Sequence, residues 1–140
     1  MPIRVTIDHF NRIVVGVGDG VLTISDLVAY SLEVLQAKVV HYGKIIDVAG
    51  SEPDFTSTEL SAFAQVVRET RADAPRGPLA LVVDPKRGEL ANLFVGMDMG
   101  GRRAEVFRSI HDARRWLTAQ MKEQERDAEA EDGWTRSGDR

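Results

Sequence analysis

The segment Lys44–Val48 restricts the fold more than any other part of the sequence. It is a short aliphatic run without polar alternation, interrupted near its end by Asp47, and this pattern is typical of a strand covered on both faces. Pro53 then indicates a turn. Thr56 and Glu59 form a capping box that predicts the start of a helix. A buried strand that leads directly into a helix predicts a parallel sheet with crossover helices.

Strand and helix patterns alternate along most of the chain. Leu79–Val83 is another continuous apolar strand, and it also ends at an acid, Asp84. Thr23 is placed to cap a helix in which four apolar residues fall at helical spacing along one face: Val28, Leu32, Leu35 and Val39. The predicted order is β-β-α-β-α-β-α-β-α, with strands near 3–7, 13–17, 44–48, 79–83 and 104–108, and helices starting near 23, 56, 90 and 109. We therefore predict an α/β fold with a mostly parallel sheet, an antiparallel edge strand and four helices.

Length and charge limit the classes of protein that fit. The 140 residues suit a single domain, and the net charge of -4 argues against a protein that mainly binds nucleic acid. The chain has no cysteine, so disulfides and thiolate chemistry are excluded. No apolar run approaches the roughly 20 residues of a membrane span, and the N-terminus has no signal pattern, so we expect a cytoplasmic protein.

The acidic charge is concentrated at the C-terminus. Residues 122–140 contain seven acids and four basic residues, with few apolar side chains. Such a segment buries too little surface to offset the entropy of ordering. We therefore expect one domain over 1–121 and a disordered acidic tail over 122–140.

Three features of this pattern resemble the STAS domain, the fold of bacterial SpoIIAA-like anti-sigma-factor antagonists. They are the opening hairpin before the first helix, the strand Lys44–Val48 with its acid and hydroxyl-rich helix start, and the strand Ala104–Phe107 before the last helix, Ser109–Leu117. More closely, residues 8–117 resemble a bacterial SpoIIAA-like group of uncharacterised function, whose fold is related to STAS and to CRAL-TRIO lipid-binding domains. The resemblance implies a STAS-like (SpoIIAA-like) fold, and the group has no established activity to transfer.

One departure from that family affects regulation. The antagonists carry a phosphorylated serine directly after the buried strand, within an Asp-Ser-Ser-Gly-like run. Here the run is Asp47-Val48-Ala49-Gly50-Ser51, so the first hydroxyl is displaced from the acid. Phosphorylation of the family's kind is therefore not expected from this loop.

The predicted ligand site lies beyond the carboxyl ends of the parallel strands, where open α/β sheets bind ligands. A helix N-terminus there also favours an anion. The candidate ligand-binding residues are Asp47, Ser51, Thr56, Ser57, Thr58, Asp84, Lys86 and Arg87. The alternative is that the hydroxyls cap a helix and that the two aspartates bind loop amides. We expect no metal and no cofactor, because the three histidines show no ligand spacing.

Two further groups of residues allow partner binding. Several arginines crowd the last strand and helix and suit either a phosphate-bearing headgroup, an acidic partner or the acidic tail: Arg102, Arg103, Arg108, Arg114 and Arg115. The helix near 90–99 is apolar around its circumference, which favours a homodimer or a lipid-like ligand.

Three functions fit these observations. The first is a non-enzymatic STAS-like regulatory or binding module that contacts a protein partner and forms a homodimer. The second is a carrier or sensor of a small apolar or lipid-like anionic ligand. The third is an enzyme that uses Asp47 and Asp84, and we rank it last because the sequence carries no catalytic constellation.

Overall fold

A computed structural model of the chain describes residues 3–69, 76–87 and 104–138. The described part contains one five-stranded sheet with the strand order β1-β2-β3-β4-β5. The elements are β1 (Ile3–Asp8), β2 (Ile13–Leu22), α1 (Ile24–Gln36), β3 (Gly43–Pro53), α2 (Ser57–Glu69), β4 (Leu79–Val82), a short 3-10 helix (Pro85–Arg87), β5 (Ala104–Phe107) and α3 (Ile110–Gly138).

The predicted fold class is confirmed. β1 pairs antiparallel with β2 at the edge of the sheet, and the pairs β2–β3, β3–β4 and β4–β5 are parallel. Three of the four predicted helices lie in the described part of the chain. The predicted helix near 90–99 falls outside the described residues.

The two faces of the sheet carry separate hydrophobic clusters, because side chains alternate along each strand. On one face, Ile46 and Val48 pack with residues of α1 and α2, such as Leu27 and Leu60. On the other face, Ile45 packs with residues of α3, such as Leu117. β2, β3 and β4 follow one another across the sheet, so right-handed crossovers place α1 and α2 on the same face.

Helix α1 begins where the sequence predicts but turns a different side to the core. The Thr23 side chain and the Asp26 carboxylate complete a capping box, with Thr23 N–H donating to Asp26 Oδ2 at 2.8 Å. The buried side chains of this helix are Leu27, Tyr30 and Val34, whereas Val28 and Leu32 of the predicted apolar face are exposed. Tyr30 occupies the core position because the glycine at 16 leaves room for its ring: a Cβ there would lie 3.1 Å from the ring.

Strands β2 and β3 are longer than predicted. Their pairing extends from Ile13 opposite Gly43 to Leu22 opposite Pro53, with an irregularity between Val17 and Asp19. The glycine-rich stretch 16–20 is therefore part of a strand. Backbone pairing with this end of β2 extends β3 to Pro53. The sequence pattern predicts that β3 ends near Asp47.

The loop between α1 and β3 is fixed by a buried cation. Lys44 is 2% exposed, and its ammonium group donates to the carbonyl oxygen of Val40 and, at 2.8 Å, to that of Tyr42. Gly77, just before β4, donates its N–H to Val40 at 3.0 Å. These hydrogen bonds connect the loop before β3 to the start of β3 and to the start of β4.

Helix α3 continues beyond the predicted end at Leu117. Ala113 and Leu117 are buried against the sheet, whereas the side chains from Lys122 to Asp127 are exposed. The backbone is helical to Gly138, through most of the segment 122–140 for which we expect disorder. The division into a domain over 1–121 and a tail stays a prediction. No helix in the described ranges is long and apolar enough to cross a membrane.

We predict that Gly77→Ala lowers the free energy of unfolding by about 3 kcal/mol, because small-to-large changes in a packed site force the backbone apart. A Cβ at this position would lie 2.1 Å from the Tyr42 carbonyl oxygen and 2.6 Å from that of His41. Urea denaturation measures the change. Gly50→Ala is the matched control, since its nearest neighbours lie at 3.6 and 3.8 Å. Equal stability of the two variants would contradict this packing.

Candidate functional site: an apolar groove between two helices

The two aspartates predicted to form a site bind backbone amides of their own segments. Asp47 lies within β3, opposite Val82 of β4, and its Oδ1 accepts the Ala49 N–H at 3.1 Å. Asp84 follows β4, and its Oδ1 accepts the Lys86 N–H at 2.9 Å at the start of the 3-10 helix. The Asp84 contact matches the alternative interpretation of the sequence, in which the carboxylate binds a loop amide, whereas the amide that Asp47 binds lies within β3.

The hydroxyl residues are also separated by the fold. Ser51 is fully buried in β3 opposite Gly20, so it lies in a strand and not in a loop. Thr56 Oγ1 accepts the Glu59 N–H at 3.2 Å, and the Glu59 carboxylate accepts the Thr56 N–H at 3.0 Å. This reciprocal pair is the predicted capping box of α2.

The remaining predicted site residues are exposed or lie outside the described side chains. Ser57 and Thr58 are exposed in the first turn of α2, and Lys86 is exposed in the 3-10 helix. The Arg87 side chain lies outside the described part of the chain. Among the described residues, no hydrogen bond joins Asp47, Asp84 and Thr56, and no group of three His, Asp or Glu side chains is placed to hold a metal ion.

A different feature has the geometry of a binding site. A groove of about 420 Å³ lies between α1 and α2, on the face of the sheet opposite α3. Its volume falls in the range of small-molecule sites. The groove is lined by Ile24, Val28, Ser31, Leu32, Leu35, Glu59, Ala62, Phe63, Val66, Val67 and Arg76.

The walls of this groove are aliphatic and open to solvent. Val28 is 41% exposed, Leu32 49% and Val66 61%. Phe63 and Leu35 are half-buried and pack against the main core, so they form the floor of the groove. Single exposed aliphatic side chains are common on protein surfaces and need no explanation. Several of them clustered in one concave surface indicate an interaction site.

Two charged side chains lie at opposite ends of α2. Glu59 is in the first turn, where its carboxylate is engaged in the capping box. Arg76 is half-buried, and its Nη2 donates to the Val67 carbonyl oxygen at 2.9 Å, near the C-terminal end of the helix. Burial lowers the pKa of the Arg76 guanidinium from its ordinary value, which lies so far above neutral pH that the group stays charged. The groove therefore has an apolar body with a cation at one end.

Sequence reasoning missed this groove because it assigned one apolar face to α1. The helix carries two apolar stripes: Leu27, Tyr30 and Val34 face the core, and a second stripe that includes Val28 and Leu32 faces the groove. The signal was present, since an apolar arc wider than one core-facing stripe implies a second contact.

The architecture can be compared with solved structures. No protein-family model matches the sequence, and no functionally curated protein matches it. A crystal structure of an uncharacterised protein of the DUF3478 family, from Shewanella loihica PV-4, is described as having a SpoIIAA-like fold, and it superposes with a TM-score of 0.53. The match covers 82% of this chain and 91% of that one, at 16% sequence identity.

The chain has a SpoIIAA-like fold. The resemblance noted in the sequence is thus confirmed at the level of architecture. At this identity the SpoIIAA-like neighbour shows the fold alone, and that protein is itself uncharacterised, so it supplies no activity. Function has to be argued from the groove and the charged surfaces of this chain.

We predict that Thr56→Ala lowers the free energy of unfolding by about 1 kcal/mol, because it removes the oxygen that caps α2. Thr56→Ser should restore most of the loss, since it keeps the hydroxyl. Ser57→Ala, one position later and exposed, should change the stability by less than about 0.5 kcal/mol. Urea denaturation of the three variants tests this role. A Ser57→Ala loss as large as that of Thr56→Ala would contradict it.

Proposed function

We propose that this chain is a non-enzymatic binding module of SpoIIAA-like fold, and that the groove between α1 and α2 binds a small anion with an apolar body. The observation that carries the proposal is the aliphatic groove of about 420 Å³ with the Arg76 guanidinium at one end. The proposal specifies the second function that the sequence suggested, a carrier or sensor of an apolar anionic ligand, and moves its site from the strand ends to the groove.

The lining favours a ligand whose bulk is hydrocarbon. Val28, Leu32 and Val66 are partly exposed without a ligand, so covering them removes apolar area from water, at about 25 cal/mol per Å². The only described polar side chains in the lining are Ser31, Glu59 and Arg76. A few polar groups set in an apolar wall are the usual composition of a site that orients one ligand.

Arg76 favours a negative group at its end of the groove. A guanidinium presents several N–H donors in one plane and suits carboxylate, sulfonate or phosphate oxygens. One of its nitrogens donates to Val67, which holds the side chain against the end of α2. Glu59 lies at the opposite end of the same helix, so an anionic group is favoured near Arg76 and disfavoured near Glu59.

The absence of catalysis is part of the proposal. The two carboxylates considered for chemistry, Asp47 and Asp84, each accept a backbone N–H from a residue two positions later in the chain. Neither lines the groove. A general acid or base must reach the ligand within hydrogen-bond distance, and the groove-lining Glu59 is engaged in the helix cap.

A second candidate is a regulatory contact with a protein partner or with a second copy of the chain. It is favoured by the exposure of Val28, Leu32 and Val66, which also suits the apolar side chains of a docked protein. Light scattering during size-exclusion chromatography tests the homodimer. A dimer that Leu32→Ser converts to a monomer would support this candidate, and a monomer at high concentration would exclude self-association.

We predict that the protein binds the fluorescent anion 1-anilinonaphthalene-8-sulfonate and that dodecanoate displaces it. Ala62→Trp should abolish binding, because the indole ring fills the groove from an exposed lining position. Ala29→Trp is the matched control, since Ala29 is exposed on α1 and does not line the groove. Fluorescence titration of the three proteins gives the affinities. Equal binding by both variants would overturn the proposed site.

We also predict that Arg76→Gln weakens dodecanoate binding about fivefold, which corresponds to about 1 kcal/mol for a partly exposed ion pair. Binding of the uncharged analogue dodecanol should be unchanged. Arg4→Gln, an exposed arginine on β1, serves as the control. Equal losses for dodecanoate and dodecanol would show that Arg76 acts through the structure of the groove and not through its charge.

A further inference from the structure

The solvent-facing side of α3 carries a row of cations. Arg115, Lys122 and Arg126 are exposed and follow one another at intervals of seven and four residues, so they lie along one side of the helix. Thr118 and Ala119 lie between them and leave a shallow depression lined by basic side chains. The core-facing side of the same helix is defined by Ala113 and Leu117.

Among the described residues, no acid lines this depression. Helical spacing places Asp112, Glu123 and Asp127 together on another flank of α3. Glu125 is ion-paired with Arg12 of the hairpin turn. Within the part of the chain that the structure describes, no ion pair engages Arg115, Lys122 or Arg126. The described lining of the depression is therefore basic, although the whole chain carries a net charge of -4.

An exposed aromatic side chain stands beside these cations. Phe10, in the turn between β1 and β2, is 93% exposed. It lines a cleft together with Arg12, Arg114, Lys122 and Glu125, the acid that pairs with Arg12. This cleft shares Arg114, Thr118 and Lys122 with the depression on α3, so the two form one continuous surface. We call it the basic face: Phe10, Arg12, Arg114, Arg115, Lys122 and Arg126.

The turn that presents Phe10 is held rigidly. The Asp8 carboxylate accepts the Asn11 N–H at 3.0 Å and the Asn11 side-chain amide at 2.7 Å. These bonds, together with the nearby charge of Arg114, hold the pKa of Asp8 below its ordinary value. Arg12 adopts a left-handed backbone with φ 57°, which completes the reversal of the chain. These contacts fix the backbone of the turn, from which the Phe10 ring projects into solvent.

We infer that the basic face docks on the surface of an anionic lipid bilayer. The cations meet the headgroup phosphates, and Phe10 enters the boundary between headgroups and acyl chains, where aromatic rings are favoured. Either contribution alone gives weak, reversible binding, and stable attachment takes two signals, which this surface combines.

The arrangement of charge and aromatic groups favours a bilayer over other polyanions. Single-stranded nucleic acid is bound by several aromatic side chains on which successive bases stack, and this face has one ring at a hairpin tip. The described lining of the depression on α3 has four cations and no acid, which suits an anionic surface. Docking also leaves the groove between α1 and α2 on the far side of the sheet, open to solvent.

Vesicle co-sedimentation of the full chain tests the inference. We expect the protein to bind vesicles of equal parts phosphatidylglycerol and phosphatidylcholine at least about tenfold more strongly than vesicles of phosphatidylcholine alone. Binding should disappear in about 1 M salt, where charge interactions are screened within a few ångströms. Equal binding to both kinds of vesicle would overturn the inference.

Two pairs of variants locate the surface. The double variant Arg115→Glu/Lys122→Glu should reduce binding to anionic vesicles more than tenfold. The control is the double variant Arg4→Glu/Lys86→Glu, which makes the same change in net charge at exposed sites outside the basic face. It should reduce binding much less. Phe10→Ser should weaken binding several-fold without changing its salt dependence. Val21→Ser, at another exposed apolar position, should leave the affinity unchanged. If a variant and its control lost the same amount of vesicle affinity, the basic face would not be the docking surface.

Other polyanions provide the final comparison. Polyuridylate and polyglutamate, tested in low salt, report on nucleic acid and acidic protein. We expect neither to compete effectively with anionic vesicles for the protein. If the protein binds one of them and not the vesicles, and Arg115→Glu with Lys122→Glu abolishes that binding, the lipid assignment is wrong.

Discussion

The buried ammonium group of Lys44 is the interaction on which the rest of the sheet depends. It binds the carbonyl oxygens of Val40 and Tyr42, and so fixes the loop that delivers the chain from α1 into β3. Gly77 packs against the same loop and donates to Val40, while the Lys44 N–H donates to Pro78 at 2.9 Å. A charge is tolerated there because carbonyl oxygens replace its water. β3 is the central strand, so its entry point sets the register of its neighbours.

The groove follows from the way α1 uses its two apolar stripes. Tyr30 packs where Gly16 leaves space, and this contact turns Leu27 and Val34 toward the sheet. The other stripe, with Val28 and Leu32, then faces α2 and solvent. The groove and the basic face lie on opposite sides of the sheet, because α3 is the described helix that covers the second face. The described part of the chain thus offers two separate surfaces, an apolar groove with Arg76 at one end and a basic surface beside Phe10.

Much of the fold was predictable because local chemistry specifies it. The capping boxes at Thr23 and Thr56 fix helix starts through hydrogen bonds within three residues. The candidate site was less predictable. The predicted ligand site beyond the strand ends assumed that β3 ends near Asp47, whereas pairing with β2 carries the strand to Pro53. The hydrogen bonds that extend a strand come from a neighbour distant in sequence, so they leave no local signal.

The sequence by itself determined the alternation of strands and helices, the antiparallel edge and the helix caps, because each depends on periodicity or short-range hydrogen bonds. Only the tertiary structure decided which stripe of α1 is buried, how far β3 extends, and that Phe10 stands beside the cations of α3. These are contacts between segments far apart in the chain. They depend on which of several compatible packings fills space best, and a one-dimensional pattern does not record that choice.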